Sequence, residues 1–342
     1  MMKFVKSMAG AALLSGAVMA STWAGEIDSI AILTPEEGTD FGWNQQGIES
    51  AKAAGEATGV EVIVAQGLGY GDVRPTLREL AEEGAGLLIA HASGYNTSAP
   101  EIAEELGVPV AVVDTPSART EGLIADYTLS GHEGAYLAGR LAAKMTRSKA
   151  VGIVVSGEPP SWNSQSAGFA EGVRDEDPEV DITYAVIGPA AYSDAAGGKR
   201  VTESVIAAGA DIIFGQGNGS SFGMIQAVAT ATAADGGEVW FIDVIGDKSS
   251  VAEDVLLSSV IWDITPVYTA MIEDIRSDTY GTKTYAIGLA DDSVRLLKTD
   301  AIPDDVWAEI EEIRANIVSG ELTVEPIFEA TKVRALMTDV SE

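Results

Sequence analysis

The sequence predicts an α/β fold made of two similar units, each a parallel sheet flanked by helices. Three observations predict it. Short apolar runs alternate with longer helical patterns, the alternation restarts near residue 150, and the tetrapeptide Trp-Asn-x-Gln follows the first strand of both halves. Such alternation is typical of βαβ units, in which a helix crosses between two parallel strands.

The first half contains four apolar runs of strand length and three amphipathic segments. In the first helical segment Ile48, Ala51 and Ala54 fall on one stripe, and in the second Leu77 and Leu80 do. This periodicity is typical of helices that bury one face. We therefore predict strands over 27–33, 60–65, 87–90 and 108–113, and helices over 42–57, 73–83 and 100–106.

The second half repeats the order after a helix over 134–144 and a polar joint over 145–148. Its predicted strands cover 150–155, 182–187, 211–214 and 239–244, and its predicted helices cover 163–174, 193–208 and 220–234. The last third predicts one more strand, helix and strand over 255–261, 265–276 and 284–289, and then a helix over 303–318.

Composition excludes several classes of function. The chain has 342 residues, and its 52 acidic against 21 basic residues give a net charge of −31. Such a charge repels phosphate backbones, so we expect no nucleic-acid partner. Without cysteine there are no disulfides, thiolate metal sites or lipid-modified N-terminal cysteine, and two histidines are too few for a three-histidine zinc site. We predict no metal and no cofactor.

The N-terminal segment is typical of a secretory signal peptide. Lys3 and Lys6 precede an apolar stretch over 8–20, and Ala20 and Ala24 both end small-residue cleavage sites. We therefore predict that residues 1–24 are removed and that the mature protein is exported without a lipid anchor.

The repeated tetrapeptide predicts a binding slot. Trp43-Asn44 and Trp162-Asn163 each open a helix after the first strand of a unit. Ligands of parallel sheets bind beyond the carboxyl ends of the strands, so two facing units would bring the tryptophans to opposite sides of a flat ligand. The alternative is that each tryptophan packs on its own helix and each asparagine caps it.

Other strand ends supply polar and aromatic side chains that could bond a ligand. The alternative for each of them is turn formation or helix capping. They include Tyr95, Asp114, Asn218, Asp243, Trp262 and Asp263. The glycine-rich run over 215–219 lacks the lysine of a phosphate-binding loop, so we do not predict nucleotide binding there.

Catalysis has little support in the sequence. His91 and Asp114 end neighbouring predicted strands, but no nucleophile is paired with them by any motif. His132 falls near the start of a predicted helix and is interpreted as structural. We predict no catalytic residues and treat an exported enzyme using His91 and Asp114 as a distant alternative.

At these residues the chain resembles the basic membrane protein (Med-like) family of exported solute-binding proteins of ABC importers. Four segments carry the resemblance, together with Gly288 and the run over 291–294. The segments are 39–47 (TDFGWNQQG), 133–145 (EGAYLAGRLAAKM), 168–173 (GFAEGV) and 260–263 (VIWD) with Pro266 and Tyr268. The GWN and VIWD segments are more similar to the branch associated with purine bases than to the nucleoside branch.

The resemblance implies a type I periplasmic-binding-protein fold, with two Rossmann-like lobes joined by three hinge crossings. We expect an N-terminal lobe of 25–147 plus 263–297 and a C-terminal lobe of 148–262 plus 298–342. The residues expected to contact the solute are Trp43, Trp162, Asp40, Asn44, Asn163, Tyr95, Asp114, Asn218, Asp243, Trp262 and Asp263.

One departure from the family bears on the ligand. Where the nucleoside branch has Gly-Val-Asp-x-Asp-Gln, this chain has Asp243-Val244-Ile245-Gly246-Asp247-Lys248, so Ile245 replaces the first aspartate of that motif. The resemblance assigns that carboxylate to the ribose hydroxyls, and its loss favours a base over a nucleoside.

The resemblance therefore predicts a monomeric periplasmic protein that closes on a purine base or nucleoside and delivers it to a membrane permease. A sugar-binding or autoinducer-type sensor protein on the same fold is the nearer alternative, because paired aromatic rings with Asp and Asn also bind sugars.

Overall fold

Two six-stranded sheets form the framework of the computed structural model, which describes residues 27–337. In chain order the strands are β1 (Ser29–Leu33), β2 (Glu61–Ala65), β3 (Leu88–Ala90), β4 (Val110–Val113), β5 (Ile124–Leu129), β6 (Ala150–Val155), β7 (Asp181–Val186), β8 (Ile212–Gln216), β9 (Trp240–Ile245), β10 (Leu256–Trp262), β11 (Tyr285–Ile287) and β12 (Val294–Leu296). The first sheet has the order β2-β1-β3-β4-β5-β11 and the second β7-β6-β8-β9-β10-β12. All neighbours are parallel except β12, which is antiparallel to β10.

Helices connect and cover these strands, and the predicted α/β class is confirmed. They are α1 (Trp43–Thr58), α2 (Arg74–Glu82), α3 (Ser98–Leu106), α4 (Gly131–Met145), α5 (Pro160–Glu176), α6 (Ala195–Ala207), α7 (Ser221–Thr230), α8 (Ser249–Ala252), α9 (Thr265–Arg276), α10 (Asp304–Ser319) and α11 (Ala330–Met337). Between residues 27 and 337 none of them is long and apolar enough to cross a membrane. The predicted signal peptide lies outside the described residues.

Each sheet reverses its strand order at one point, and this position determines where a cleft can form. The order runs outward from β1 to β2 on one side and to β3, β4 and β5 on the other, and the second sheet repeats it with β6 to β10. Loops that leave the carboxyl ends on either side of such a reversal diverge and leave a crevice, which is where open parallel sheets bind ligands. In the first sheet this places the loop after β1 beside the loop after β3.

Three connections join the two sheets, between β5 and α4, between β10 and α9, and between β11 and β12. The sequence-based boundaries put α4 and β12 in the first lobe. However, α4 packs on α5 and α10, and β12 pairs with β10, so both lie with the second sheet because their buried faces are covered there. We propose revised lobes of 27–129 plus 265–287 and of 131–262 plus 294–337.

Helices α4 and α5 approach each other closely enough for their backbones to touch. A Cβ atom at Gly139 would lie 2.0 Å from the carbonyl oxygen of Phe169, and one at Gly172 would lie 2.1 Å from that of Tyr136. Backbone atoms cannot move aside as the end of a flexible side chain can. The glycines therefore determine how near α4 lies to α5 and, through α4, how the first crossing enters the second lobe.

We predict that Gly139→Ala lowers the free energy of unfolding by about 1–3 kcal/mol, the usual range for overpacking. Alanine favours a helix more than glycine does, so a loss of stability would report the steric contact rather than helix propensity. The measurement is urea unfolding followed by circular dichroism. Gly71→Ala is the matched control, because a Cβ atom there meets nothing within 4 Å. Equal stability of the two variants would contradict the close approach.

Candidate functional site

The carboxyl ends of the two sheets face each other, and loops from both lobes meet there. The backbone amide of Trp43, at the start of α1, donates to Oδ1 of Asn218 in the loop after β8 (3.3 Å). Nζ of Lys248, after β9, donates to the carbonyl oxygen of Phe41 (2.6 Å). The lobes are therefore in contact, and the loop that follows β1 forms part of both contacts.

Trp43 is held against the loop that follows β3. Its ring stacks on the imidazole of His91 with centroids 3.7 Å apart and planes 8° from parallel, and its Nε1 donates to the carbonyl oxygen of His91 (2.9 Å). The edge of the Trp262 ring approaches it at 6.4 Å and 87°. Because His91 covers one face of the half-buried Trp43, a flat ligand can stack only on the other face.

His91 is a neutral structural histidine in this arrangement. Its Nε2 lies 2.9 Å from the carbonyl oxygen of Trp43, which can only accept, so Nε2 donates and Nδ1 is the acceptor. The hydroxyl groups of Tyr127 (2.8 Å) and Tyr268 (2.9 Å) both lie within hydrogen-bond distance of Nδ1 and share its single lone pair. Burial lowers the pKa of His91 to about 4. With both ring nitrogens occupied, His91 is not hydrogen-bonded to Asp114, and the pair that the enzyme alternative required is not formed.

Asp40 and Asn44 organise the start of α1. The Asp40 carboxylate accepts from the backbone amides of Gly42 (3.1 Å), Asn44 (3.1 Å) and Gln45 (2.9 Å), and also from Nδ2 of Asn44 (2.8 Å). Both side chains are buried. Helix capping was the alternative to ligand contact at this loop, and the geometry matches capping, with Asp40 rather than Asn44 as the capping residue because it reaches the free amides of the first turn.

The second tryptophan has different neighbours from the first. Trp162 lies buried in the first turn of α5 and meets the ring of Tyr192 edge-on at 5.3 Å; no ring contact joins Trp162 to Trp43. Asn163 donates through Nδ2 to the carbonyl oxygen of Phe328 (2.8 Å), while its buried Oδ1 has no hydrogen-bond partner.

Tyr192 is an aromatic residue of the cleft that the sequence reasoning missed. It lies after β7, and its ring also tilts over that of Tyr70 in the first lobe at 5.8 Å. The predicted helix over 193–208 begins directly after Tyr192, and Tyr192 is not among the predicted site residues. Its aromatic side chain after a predicted strand is a signal that could have identified it. Its contact with Tyr70 joins the two lobes, as do the ring contacts of Trp262 with Trp43 and of Phe222 with Phe41.

Tyr95 and Asp114 play different roles. Tyr95 is buried and its hydroxyl donates to the carbonyl oxygen of Gly69 (2.6 Å), so it ties two loops of the first lobe together. Asp114 keeps access to solvent, and its Oδ1 accepts from the Leu129 amide (3.2 Å). Desolvation by the surrounding protein raises the pKa of Asp114 to about 7. The hydrogen bond from the Leu129 amide lowers this pKa, and the negative charge of nearby Asp126 raises it further.

The floor of the second lobe is polar and buried. Nε2 of Gln216 donates to the Ser166 hydroxyl (2.6 Å), while Oε1 of Gln165 has no partner. Asp243 accepts from the Val244 amide (2.9 Å) and forms an ion pair with Lys248 (3.2 Å). Unpaired buried acceptors are costly, so the free oxygen atoms of Asn163 and Gln165 are candidates to receive N–H or O–H donors.

Trp262 and Asp263 lie at the second crossing. Trp262 is buried and its Nε1 has no hydrogen-bond partner, while Oδ1 of Asp263 accepts from the Thr265 amide (3.0 Å) at the start of α9. A cavity of about 340 Å³ opens between the lobes on this side; Phe41, Gly246, Trp262 and Asp263 are among its lining residues, and Trp43 is not.

Four of the eight non-glycine residues with positive φ among residues 27–337 lie at the facing strand ends. Phe41 (φ +49°), Asp114 (φ +49°), Asn218 (φ +48°) and Ile245 (φ +73°) all adopt left-handed conformations although none is glycine. Each residue of this kind costs of order 1–3 kcal/mol and persists where the surrounding structure holds it, which is common at ligand sites. The cleft thus contains half of the unfavourable backbone conformations of this kind in the described part of the chain.

Comparison with known proteins decides the family. A family model described as ABC transporter substrate-binding protein, PnrA-like, matches residues 27–327. The chain belongs to this family. A purine-binding protein of Brucella abortus is 25% identical over 289 residues, covering 83% of this chain and 79% of its own length. An ABC transporter nucleoside-binding protein of Lactococcus lactis is 25% identical over 214 residues, covering 58% and 59%.

Solved structures agree with the fold. An ABC transporter solute-binding protein of Aeropyrum pernix superposes with a TM-score of 0.76 at 19% identity, covering 90% of this chain and 96% of its own. The predicted resemblance to the basic membrane protein family is confirmed. Members of the family are extracytoplasmic solute-binding proteins rather than enzymes.

We predict that His91 makes stability fall with acid. The folded protein protonates His91 only near pH 4, whereas the unfolded chain protonates it near its ordinary 6.5. The neutral, buried His91 therefore contributes roughly 3 kcal/mol to the free energy of unfolding. This contribution is complete above pH 6.5 and is lost as the pH falls towards 4. The measurement is the free energy of unfolding of the wild type and His91→Gln at pH 7 and pH 4.5.

The comparison isolates His91, because His132, whose pKa burial also lowers to about 4, is present in both proteins. Glutamine keeps a donor and an acceptor but does not titrate. We expect the wild type to lose more stability than the variant on acidification, and equal losses would contradict a buried neutral His91.

Proposed function

We propose that this protein is the periplasmic binding component of an ABC importer, and that it holds a flat solute, foremost a purine base, between its lobes and delivers it to a membrane permease. Trp43 carries the proposal. Its ring is fixed by His91 at the strand-order reversal of the first sheet, where ligands of such sheets bind. The names of the Brucella and Lactococcus relatives, a purine-binding and a nucleoside-binding protein, support the same ligand class.

The polar groups of the two lobes support a ligand with N–H donors. Asp114 offers a solvent-accessible carboxylate from the first lobe, and the second lobe offers the unpartnered oxygen atoms of Asn163 and Gln165. In this proposal Trp43 stacks on the base, with Tyr192 and Trp162 forming the aromatic wall of the opposite lobe. Asn218 and Asp243 align the lobes, and Asp40, Asn44 and Tyr95 support the cleft from behind. Trp262 and Asp263 line the cleft on the side of the second crossing.

A base suits the cleft better than a nucleoside. Ile245 is buried and apolar at the position where the nucleoside branch has a carboxylate for the ribose. The side chain of Trp262 is also buried beside Trp43, so it fills space on the crossing side of the stack. Binding would favour closed over open lobes, and the permease would recognise the closed monomer.

A thermal-shift panel tests the ligand class. The protein is unfolded and refolded to remove any carried ligand, and then heated with adenine, guanine, adenosine, uracil, arabinose and glucose. A ligand at 100 times its dissociation constant stabilises a protein by about 2.7 kcal/mol. We expect adenine or guanine to raise the melting temperature more than adenosine. A shift with the sugars alone would replace this proposal with the sugar-binding alternative.

We predict that Trp43→Ala weakens binding of the panel's best base by about 5- to 150-fold, because stacking of a base on an aromatic ring contributes about 1–3 kcal/mol. Isothermal titration calorimetry measures the dissociation constant. Trp43→Phe is the matched control, since it keeps an aromatic face and should retain affinity within a few-fold. Unchanged affinity in Trp43→Ala would overturn the stacking role.

The pH dependence of binding tests Asp114. Below its pKa of about 7 the group is protonated and cannot act as a charged acceptor. We therefore expect the affinity for the base to fall as pH is lowered from 8 to 6 in the wild type. In Asp114→Asn the affinity should be lower at pH 8 and nearly independent of pH. An equally steep dependence in the variant would remove Asp114 from the site.

A further inference from the structure

A buried lysine of the second lobe reaches across the cleft to the first. Lys248 has only 1% of its side chain exposed, and its Nζ donates to the carbonyl oxygens of Val244 (3.2 Å), in its own lobe, and Phe41 (2.6 Å), in the other. The carboxylate of Asp243, equally buried, lies 3.2 Å from the same nitrogen. The ammonium group thus donates once within its own lobe and once to the opposite lobe, while the Asp243 carboxylate compensates its charge as an ion pair.

The ion pair holds Lys248 in position for that contact. A buried ammonium group without a partner is strongly unfavourable, and Asp243 supplies the opposite charge within the same lobe. Ser221 and the Val244 amide in turn hydrogen-bond Asp243. The lysine is therefore anchored by contacts that do not depend on closure, while its bond to Phe41 exists only when the lobes are together.

A strained turn brings the same segment against Phe41. The Gly246 amide donates to the carbonyl oxygen of Val244 (3.0 Å), which makes Ile245, at φ +73°, the centre of a three-residue γ-turn. Positive-φ γ-turns are rare and strained, and more so for a β-branched residue. A Cβ atom at Gly246 would lie 2.1 Å from the Phe41 carbonyl oxygen, so the turn places bare backbone where the first lobe arrives.

We propose that Lys248 is a positioning residue. Together with the turn at Ile245, it holds the carbonyl group of Phe41 and so aligns, from the second lobe, the first-lobe loop that carries Trp43. This contact stabilises the closed arrangement of the lobes before a solute binds. Phe41 itself has φ +49° and lies two residues before Trp43. A charged donor forms a stronger hydrogen bond than a neutral one. The inference goes beyond the proposed function, since it holds whatever solute the cleft takes.

Small-angle X-ray scattering of the ligand-free protein tests the proposal without any solute. Asp243→Asn/Lys248→Met removes both charges together, so no buried charge is left unpaired. Gly246→Ala leaves the lysine in place and blocks the approach of Phe41 sterically; Gly246 does not have a positive φ, so alanine fits the turn itself. Lys199→Met, which removes a half-buried lysine paired with Glu203 in the second lobe and away from Phe41, is the control.

We expect both cleft variants to have a larger radius of gyration than the wild type and the control, with unchanged circular dichroism. A wild-type radius of gyration in Gly246→Ala would overturn the proposal even if the double variant failed to fold. With adenine as probe, we expect a dissociation constant raised about ten-fold in the variants, mainly through faster dissociation. Absence of adenine binding by the wild type would count against the proposed ligand and leave the scattering result to decide this inference.

Discussion

The arrangement of the cleft depends on one buried imidazole. His91 links three parts of the first lobe, because it bonds the backbone of Trp43 in α1 and the hydroxyl groups of Tyr127 in β5 and Tyr268 in α9. A charged ring has no nitrogen lone pair that could accept a hydrogen bond from either tyrosine, so the network requires the neutral form that burial favours. Since α9 begins directly after the second crossing, the orientation of Trp43 is coupled to the segment about which the lobes would move.

The sequence located the candidate site better than it described it. The repeated Trp-Asn-x-Gln correctly marked the two loops at the strand-order reversals, because a parallel sheet places such loops at one edge. It could not show that Trp43 lies flat on His91 while Trp162 meets Tyr192 edge-on. Identical tetrapeptides acquire different environments from residues distant in sequence, and local pattern contains no information about those neighbours.

The same limit explains the elements that the sequence missed. Strand β5 contains Asp126, which interrupts the apolar pattern of the strand. Asp126 is nevertheless buried, and its carboxylate accepts a hydrogen bond from the Thr115 amide, which compensates for its burial. Strand β12 has three residues, with Arg295 pointing outward, and its pairing with β10 is the only sign that it is a strand. The longer strands and helices were predicted because each has enough apolar residues for its periodicity to indicate the element. These short strands depend instead on their tertiary partners.

Closure and the proposed ligand contact involve the same short stretch of chain. The second lobe touches residues 36–43 of the first through Ser193 on Glu36, Lys248 on Phe41 and Asn218 on Trp43. Any movement of the second lobe therefore acts on the loop that presents Trp43, and any solute stacked on Trp43 acts on the contacts that hold the lobes together. Binding and closure are linked in both directions by thermodynamic necessity. A solute that displaced this loop would break the contacts that hold the lobes together and open the cleft. High affinity therefore requires a solute that stacks on Trp43 while the lobes stay closed.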